Sequence, residues 1–211
     1  MGDPAFYQKR IAELKNFSVI CCDGGVRHLE TLQIKPDVII GDMDSANALQ
    51  LENYKACGVK ILKYPPDKDD TDTQLALNYA LELKPEEIEI WGALGGRFDH
   101  ALANLFLLSL GVKAGIDIRL IDEYCEVFVV YGEANIAEGI GQTVSLFAYP
   151  ARVEGITLCG FQYSLDKESL DVDNSRGISN VINASPATIS LDAGSLLVIR
   201  YWQKNIFPEA V

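Results

Sequence analysis

The stretch Asp37-Val38-Ile39-Ile40-Gly41-Asp42-Met43-Asp44-Ser45 reads as a strand running straight into an acidic loop. Val38, Ile39 and Ile40 are apolar and β-branched, the composition of a buried parallel strand, and Ala46–Cys57 beyond the loop reads as a helix. Open α/β sheets bind ligands at the carboxyl ends of their strands, where this loop falls. On extended or turning backbone the side chains of residues i and i+2 point the same way, so Asp42 and Asp44 can share one cation. Two like charges about 4 Å apart repel by roughly 4 kcal/mol at an effective dielectric of about 20. A metal ion, a proton or full solvation has to offset that repulsion. Taken alone, the pair is better read as a solvated turn with Ser45 as helix N-cap. Its companions change the balance.

Outward from this loop, strand and helix alternate through the first 120 or so residues. Phe17–Cys22 is an apolar strand candidate, followed by Asp23-Gly24-Gly25 and a helix over Val26–Gln33. Val59–Lys63 is a further strand, and Thr71–Leu83 an amphipathic helix opened by the capping-box pattern Thr71-x-x-Gln74. Ile88–Trp91 is the fourth strand, Asp99–Leu110 a helix apolar on most sides and ended by Gly111, and Ile116–Ile121 the fifth strand. The spacing predicts a parallel sheet with helices on both faces, the Asp99 helix being buried. Four successive strand-to-helix connections carry aspartate: Asp23; Asp42 and Asp44; the run Asp67-Lys68-Asp69-Asp70-Thr71-Asp72; and Asp99. In a parallel sheet these connections emerge at one edge, so carboxylates far apart in sequence meet in space. Gly24-Gly25 and Gly95-Gly96 each precede a helix and let backbone N–H groups approach a phosphate, with Lys68 and Arg97 as nearby cations. Each feature has an ordinary structural explanation, since Asp72 favours a helix dipole and Asp99 can cap its helix. Their coincidence on one edge points to a metal–phosphate site.

From about Asp122 the helical period disappears. Glu126–Tyr131, Thr143–Ala148, Val153–Cys159, Thr188–Leu191 and Leu196–Trp202 read as short strands between Gly, Asn, Asp, Ser and Pro. Thr143–Ala148 alternates, with Val144, Leu146 and Ala148 on one face. The expected organisation is an α/β domain over residues 1–122 and a small all-β sandwich over 123–211. The net charge of −12 argues against a nucleic acid or an anionic membrane surface as partner. An acidic protein that handles phosphates needs a divalent cation to mediate the contact. The five cysteines lack C-x-x-C spacing and read as reduced thiols of a cytoplasmic protein. No apolar run is long enough for a membrane span, and the first residues lack the pattern of a signal peptide.

With these residues in view, the sequence resembles the thiamine pyrophosphokinase family. Four segments carry the likeness: Asp23-Gly24-Gly25, Pro36–Ser45 (PDVIIGDMDS), Asp67–Asp72 (DKDDTD) and Gly92–Leu105 (GALGGRFDHALANL); Gly177-Ile178-Ser179-Asn180 is a weaker fifth. The resemblance implies an enzyme that moves the terminal diphosphate of ATP onto the hydroxyl of thiamine and releases AMP. It implies Mg2+ as cofactor, ATP and thiamine as ligands, and a homodimer. Carried over position by position, Asp42, Asp44, Asp72 and Asp99 belong to the metal and catalytic cluster, either Asp72 or Asp99 serving as general base. Asp23, Gly24, Gly25, Lys68, Asp69, Gly95, Gly96 and Arg97 help to hold ATP. Ser179, Asn180, Phe161 and Tyr163 are the thiamine contacts that the likeness implies in the second half, although core packing explains Phe161 and Tyr163 as well.

The chain also departs from the family pattern. The family opens with a strand before a turn like Gly2-Asp3-Pro4, and this chain begins at that turn, so a leading strand is expected to be missing. Val26-Arg27-His28 replaces a small-polar-basic run, Ser164 stands where proline is usual, and Val181 where a carboxylate is usual. His28 reads as exposed helical polarity and His100 as a neighbour of the chemistry rather than a participant. The rival functions are a nucleotide-sugar transferase that holds its metal on the Asp-x-Asp pair, an aspartate-dependent phosphatase, and a nucleotide or vitamin sensor without turnover.

Overall fold

The computed structural model describes residues 2–202. The chain enters through helix α1 (Pro4–Glu13), with Asp3 as N-cap accepting the Ala5 N–H and Pro4 preset for the first turn. Strand β1 (Ile20–Cys22) runs into a single 3-10 turn at Asp23–Gly25 and helix α2 (Val26–Leu32), which stops at Gln33 in the left-handed region. Strand β2 (Val38–Gly41) is buried at every position, as its composition predicts. Helix α3 (Ala48–Ala56) begins two residues later than expected because Asn47, not Ser45, caps it through the Leu49 N–H. Strand β3 (Lys60–Lys63) leads to helix α4 (Asp72–Glu82), where Thr71 caps through the Gln74 N–H as the capping-box pattern requires.

Strands β1, β2 and β3 form a three-stranded parallel sheet in that order. Val26, Leu29, Ile39 and Val59 pack on one face with α3, and Val38, Ile40 and Ala76 on the other with α4. Helices therefore cover both faces, and the crossovers that carry Asp23, Asp42 and Asp72 leave from the same ends of adjacent parallel strands.

The fourth and fifth strands depart from the single parallel sheet expected from the sequence. Strands β4 (Glu87–Trp91) and β5 (Asp117–Ile121) pair in parallel with each other, and β5 then pairs antiparallel with β6 (Cys125–Val130). The turn between β5 and β6 sets this arrangement: Asp122 Oδ1 accepts the N–H groups of Tyr124 and Cys125 and reverses the chain. The remaining strands are β7 (Glu133–Ile136), β8 (Thr143–Ala148), β9 (Val153–Cys159), β10 (Leu165–Leu170), β11 (Asn180–Val181), β12 (Ala187–Ser190) and β13 (Leu196–Tyr201). A six-stranded sheet of order β11-β8-β13-β6-β5-β4 thus continues across residue 122, and a four-stranded sheet of order β10-β9-β12-β7 faces part of it.

The sandwich core between these two sheets includes Phe128, Leu146, Ile156, Leu158, Ile189 and Val198. Val144, Leu146 and Ala148 all point into it, as the alternation in β8 predicts. The opposite face of the six-stranded sheet packs Leu120, Val127 and Leu197 against Leu77 of α4 and Leu107 and Leu108 of helix α5 (Phe98–Ala114).

Helix α5 corrects two expectations. It runs through Gly111 and ends at Gly115, which is in the left-handed region. Gly111 is a packing position, because a Cβ there would lie 2.6 Å from the Ile116 carbonyl oxygen. Nor is the helix buried all round. The face toward β5, β6 and α4 is covered, and Phe98, Leu102, Phe106 and Val112 are exposed, Phe98 to 81%. Among the described residues no helix is long and apolar enough to cross a membrane.

Candidate active site

Three aspartates from three crossovers meet at the ends of β1, β2 and β3. Asp23, Asp42 and Asp72 each offer a carboxylate oxygen within 4.8 Å of the other two. Asp23 sits in the 3-10 turn after β1 and is 1% exposed. Its Oδ2 accepts the Ser45 N–H at 2.9 Å, while its Oδ1 is buried without a hydrogen-bond partner. Burial pushes this carboxyl up from its ordinary value, against the pull of the Ser45 N–H, and the neighbouring carboxylates add to the rise. Asp42 follows β2 and accepts the Asp44 N–H at 3.3 Å. That backbone bond, with Lys68 nearby, holds its carboxyl below the usual range.

Asp72 is the first residue of α4, so its charge faces the positive end of the helix. Lys68 lies one turn before it. Its Nζ is 2.7 Å from Asp72 Oδ1 and 3.9 Å from Asp42 Oδ2, and its side chain is only 14% exposed. Asp72 Oδ1 nonetheless has no aligned hydrogen bond, so the contact is one of charge. Gly41 makes the convergence possible: a Cβ there would lie 2.6 Å from Asp23 Cβ and 3.0 Å from Asp72 Oδ2. Only glycine lets β2 pass between the two acids.

Asp44 lies outside this group. It is not one of the three mutually close carboxylates, and Met43, between it and Asp42, is in the left-handed region at φ 66. Asp44 is exposed and its Oδ1 accepts the Ser45 hydroxyl at 2.9 Å. Asp99 is apart as well, in the first turn of α5 beyond β4, a strand of the other sheet. It is exposed and paired with Arg97 at 3.1 and 2.5 Å, and it also takes the His100 N–H. The Arg97 pair holds its carboxyl down to about 2. Gly95 and Gly96 lie in the same exposed loop, Gly96 at φ 82. Asn104 of α5 pins the start of that loop by donating to the Ala93 carbonyl at 2.9 Å.

Among the other expected nucleotide contacts, Gly24 and Gly25 form the turn after β1, where the Gly24 carbonyl accepts from Arg27 Nε at 2.7 Å. Asp69 is exposed beside Lys68. His28 is half-buried rather than exposed, and that burial lowers its pKa; His100 is exposed.

In the β half, Asn180 is buried and clamps the backbone of residue 163: its Oδ1 accepts the Tyr163 N–H and its Nδ2 donates to the Tyr163 carbonyl. Ser179 is in the left-handed region, with its N–H on the Ser145 hydroxyl. Phe161 is taken up in the sandwich core, whereas Tyr163 is exposed. Ser179 and Asn180 thus shape the strand edge that presents Tyr163.

Two clefts elsewhere, of about 320 and 310 Å³, are lined respectively by the α5–β5–β6 end and by Arg10, Glu89, Arg119 and Glu126; neither borders the three carboxylates.

The donor set is all hard oxygen, with one buried lone-pair oxygen on Asp23 left over, which fits a small divalent cation better than a soft metal. An α/β layer that gathers acids and a lysine at its strand ends is the arrangement that a metal-dependent, phosphate-handling transferase would use. Residues 12–120 match the model for the thiamin pyrophosphokinase catalytic domain, and residues 133–196 the model for its vitamin B1 binding domain. The thiamine pyrophosphokinase of Bacillus subtilis is 35% identical over 181 residues, 84% of each chain. Thiamine pyrophosphokinase 1 of rice is 27% identical, covering 85% of this chain and 77% of its own. The crystal structure of the B. subtilis enzyme superposes with a TM-score of 0.84 at 32% identity, covering 93% of this chain and 92% of that one. The chain belongs to the thiamin pyrophosphokinase family. The activity that goes with membership is ATP-dependent synthesis of thiamine diphosphate, and none of the rival functions finds support in these matches.

Proposed function

We propose that the rim formed by Asp23, Asp42 and Asp72 holds Mg2+ together with ATP, and that the diphosphate passes from there to thiamine. The thiamine hydroxyl oxygen bonds to the β-phosphorus, the bond from that phosphorus to the oxygen bridging to the α-phosphate breaks, and AMP leaves. A divalent cation held there would neutralise phosphate charge and steady the departing oxygen. The chain's own groups do the rest. Lys68 and Arg97 supply cations for phosphate oxygens, and the Gly24–Gly25 and Gly95–Gly96 turns leave backbone N–H groups accessible. Asp72 or Asp99 accepts the hydroxyl proton. Asp99 is a weak base for as long as Arg97 holds it, so a base at this position has to be released from that pair first. Asp44 enters the reading as an exposed carboxylate beside the rim and Asp69 as one beside Lys68.

Thiamine carries a permanent positive charge, which an acidic protein and an exposed aromatic ring both favour. Tyr163 is such a ring, held in place by Asn180. The exposed apolar positions Phe98, Leu102 and Phe106 on α5 support a homodimer, because a monomer seldom leaves several large apolar groups on one helix in water. Free cysteines throughout support a reducing compartment such as the cytoplasm.

The observation that carries the proposal is the convergence of the three acids, with an unpartnered oxygen on the most buried of them. Incubation with ATP, thiamine and Mg2+ should give AMP and thiamine diphosphate in equal amounts, and Asp42→Asn or Asp72→Asn should cut turnover at least about 100-fold. Wild-type turnover in either variant, with normal folding, would remove that residue from the site. Light scattering should give twice the chain mass, and a monomer at every concentration would remove the homodimer.

A further inference from the structure

Lys68 has a place in the rim that holding a phosphate does not account for. Its ammonium is in ion contact with two of the three clustered carboxylates, at 2.7 Å from Asp72 and 3.9 Å from Asp42, and it is largely shielded from water. The oxygens it touches belong to the two half-exposed acids, while the third acid, Asp23, keeps a buried oxygen without a partner. Three carboxylates this close repel one another strongly, and a single positive charge offsets only part of that repulsion.

We propose that Lys68 is a built-in competitor for the divalent cation, steadying the carboxylate rim through Asp72 and Asp42 and giving up those oxygens when a metal binds. The inference rests on the metal–ATP reading above and adds a coupling to it. A lysine and a divalent ion cannot both sit against Asp72 Oδ1 without strong mutual repulsion, so binding of the ion drives the ammonium off that oxygen, where an arriving phosphate can take it. Metal alone is then held weakly, and metal with nucleotide is held well, because the nucleotide gives the displaced ammonium a new anionic partner. A lysine suits this task because its charge is a compact point on a flexible stem and it can change partners without a fixed fork geometry.

The test is Mn2+ binding to the full-length protein without nucleotide, followed by electron paramagnetic resonance, for the wild type, Lys68→Gln, Lys68→Arg and Asp72→Asn. Lys68→Gln should bind Mn2+ about tenfold more tightly than the wild type, Lys68→Arg about as the wild type does, and Asp72→Asn far more weakly. Equal or weaker binding by Lys68→Gln overturns the inference. Absence of Mn2+ binding in the wild type and in Lys68→Gln alike, with ATP added as well as without it, overturns the metal reading with it. Should Lys68→Gln fail to fold, the wild type decides. Labelling of Lys68 by an amine-reactive reagent, read by mass spectrometry, should rise several-fold when Mg2+ is added without ATP. Labelling that stays level or falls shows that the lysine does not move aside.

Discussion

Gly41 is the residue on which the geometry of the rim turns. A methyl group there would overlap Asp23 and press on Asp72, so Gly41→Ala should push the first two crossovers apart. The expected cost is about 1–3 kcal/mol of stability, typical of overpacking, and Mn2+ binding should be lost before the fold is. A urea midpoint and a Mn2+ titration on the same sample separate the two effects; unchanged metal affinity would mean that the acids do not act as one group. Asp23 was legible in the sequence as an aspartate at a strand end, but its chemistry was not. Its place on the shared edge was expected and the resemblance gave it to the nucleotide, but the burial that raises its carboxyl and the bond that fastens the next crossover to it through Ser45 come from the fold. The spacing of Asp42 and Asp44 alone favoured a solvated turn, and only their companions pointed to a shared cation. Asp42 meets Asp23 and Asp72 while Asp44 is exposed, and nothing in the pattern Asp-Met-Asp announces the positive φ at Met43 between them.

At the scale of elements, periodicity was dependable, but Ser45 and Gly111 do not bound their helices and packing was harder to read. Thr71-x-x-Gln74 starts α4 where the pattern says, and β2, β8 and β9 run close to where hydrophobic patterning puts them. Short β7, β10 and β11 were missed because Glu133–Ile136 and Leu165–Leu170 carry charged or small residues and earn their place by pairing with neighbours. Helix α1 shows how an element can hang on few contacts. Tyr7 is fully buried against Trp91, at 5.3 Å between rings, and Arg10 grips Glu89 at 2.8 and 2.5 Å. Burial raises the Glu89 carboxyl, but the Arg10 and Trp91 hydrogen bonds outweigh it and the net shift is downward. A depressed carboxylate adds stability above its unfolded pKa of about 4.3, and that stability is lost as pH falls through the lower folded value. Acidification from pH 5 to pH 3 should therefore loosen α1, seen as lower amide protection factors over residues 5–13 once the intrinsic pH dependence of exchange is divided out. Glu89→Gln should already show the lower protection at pH 6 and lose the pH step; an unchanged step would assign it to another group. In α5, Gly111→Ala should cost about 1–3 kcal/mol in a thermal or urea melt, since its Cβ would meet the backbone of Ile116 rather than a movable side chain.

At the scale of the molecule, the six-stranded sheet ties the two expected halves into one hydrogen-bonded body. Composition changes near residue 122, which is why a boundary is legible there, but backbone pairing passes from β5 to β6 without a break. Glu126 makes the tie explicit. It is 3% exposed and bonded to Arg119 of β5 at 2.9 Å and to Arg200 of β13 at 3.0 Å, so one buried carboxylate holds strands from both sides of the boundary. Removing one member of a buried ionic group strands the others, at about 3–5 kcal/mol. Both arginines still reach water, so Glu126→Ala should fall at the low end, about 3 kcal/mol, with Glu126→Gln closer to the wild type. Because the same sheet carries α5 and the Arg97–Asp99 loop on one strand pair and the sandwich on the others, that loss should not be confined to the β half. Thermal unfolding should remain a single transition by tryptophan fluorescence and by circular dichroism, shifted down as a whole in Glu126→Ala. Two separate transitions, with only the later one moved, would show that the halves fold independently and that the shared sheet is a weak seam. Chains cut at residue 122 carry the same argument further. Each piece would expose the β5 or β6 edge and the apolar face beneath it, and the cut chains should aggregate rather than yield a folded α/β fragment that binds Mn2+.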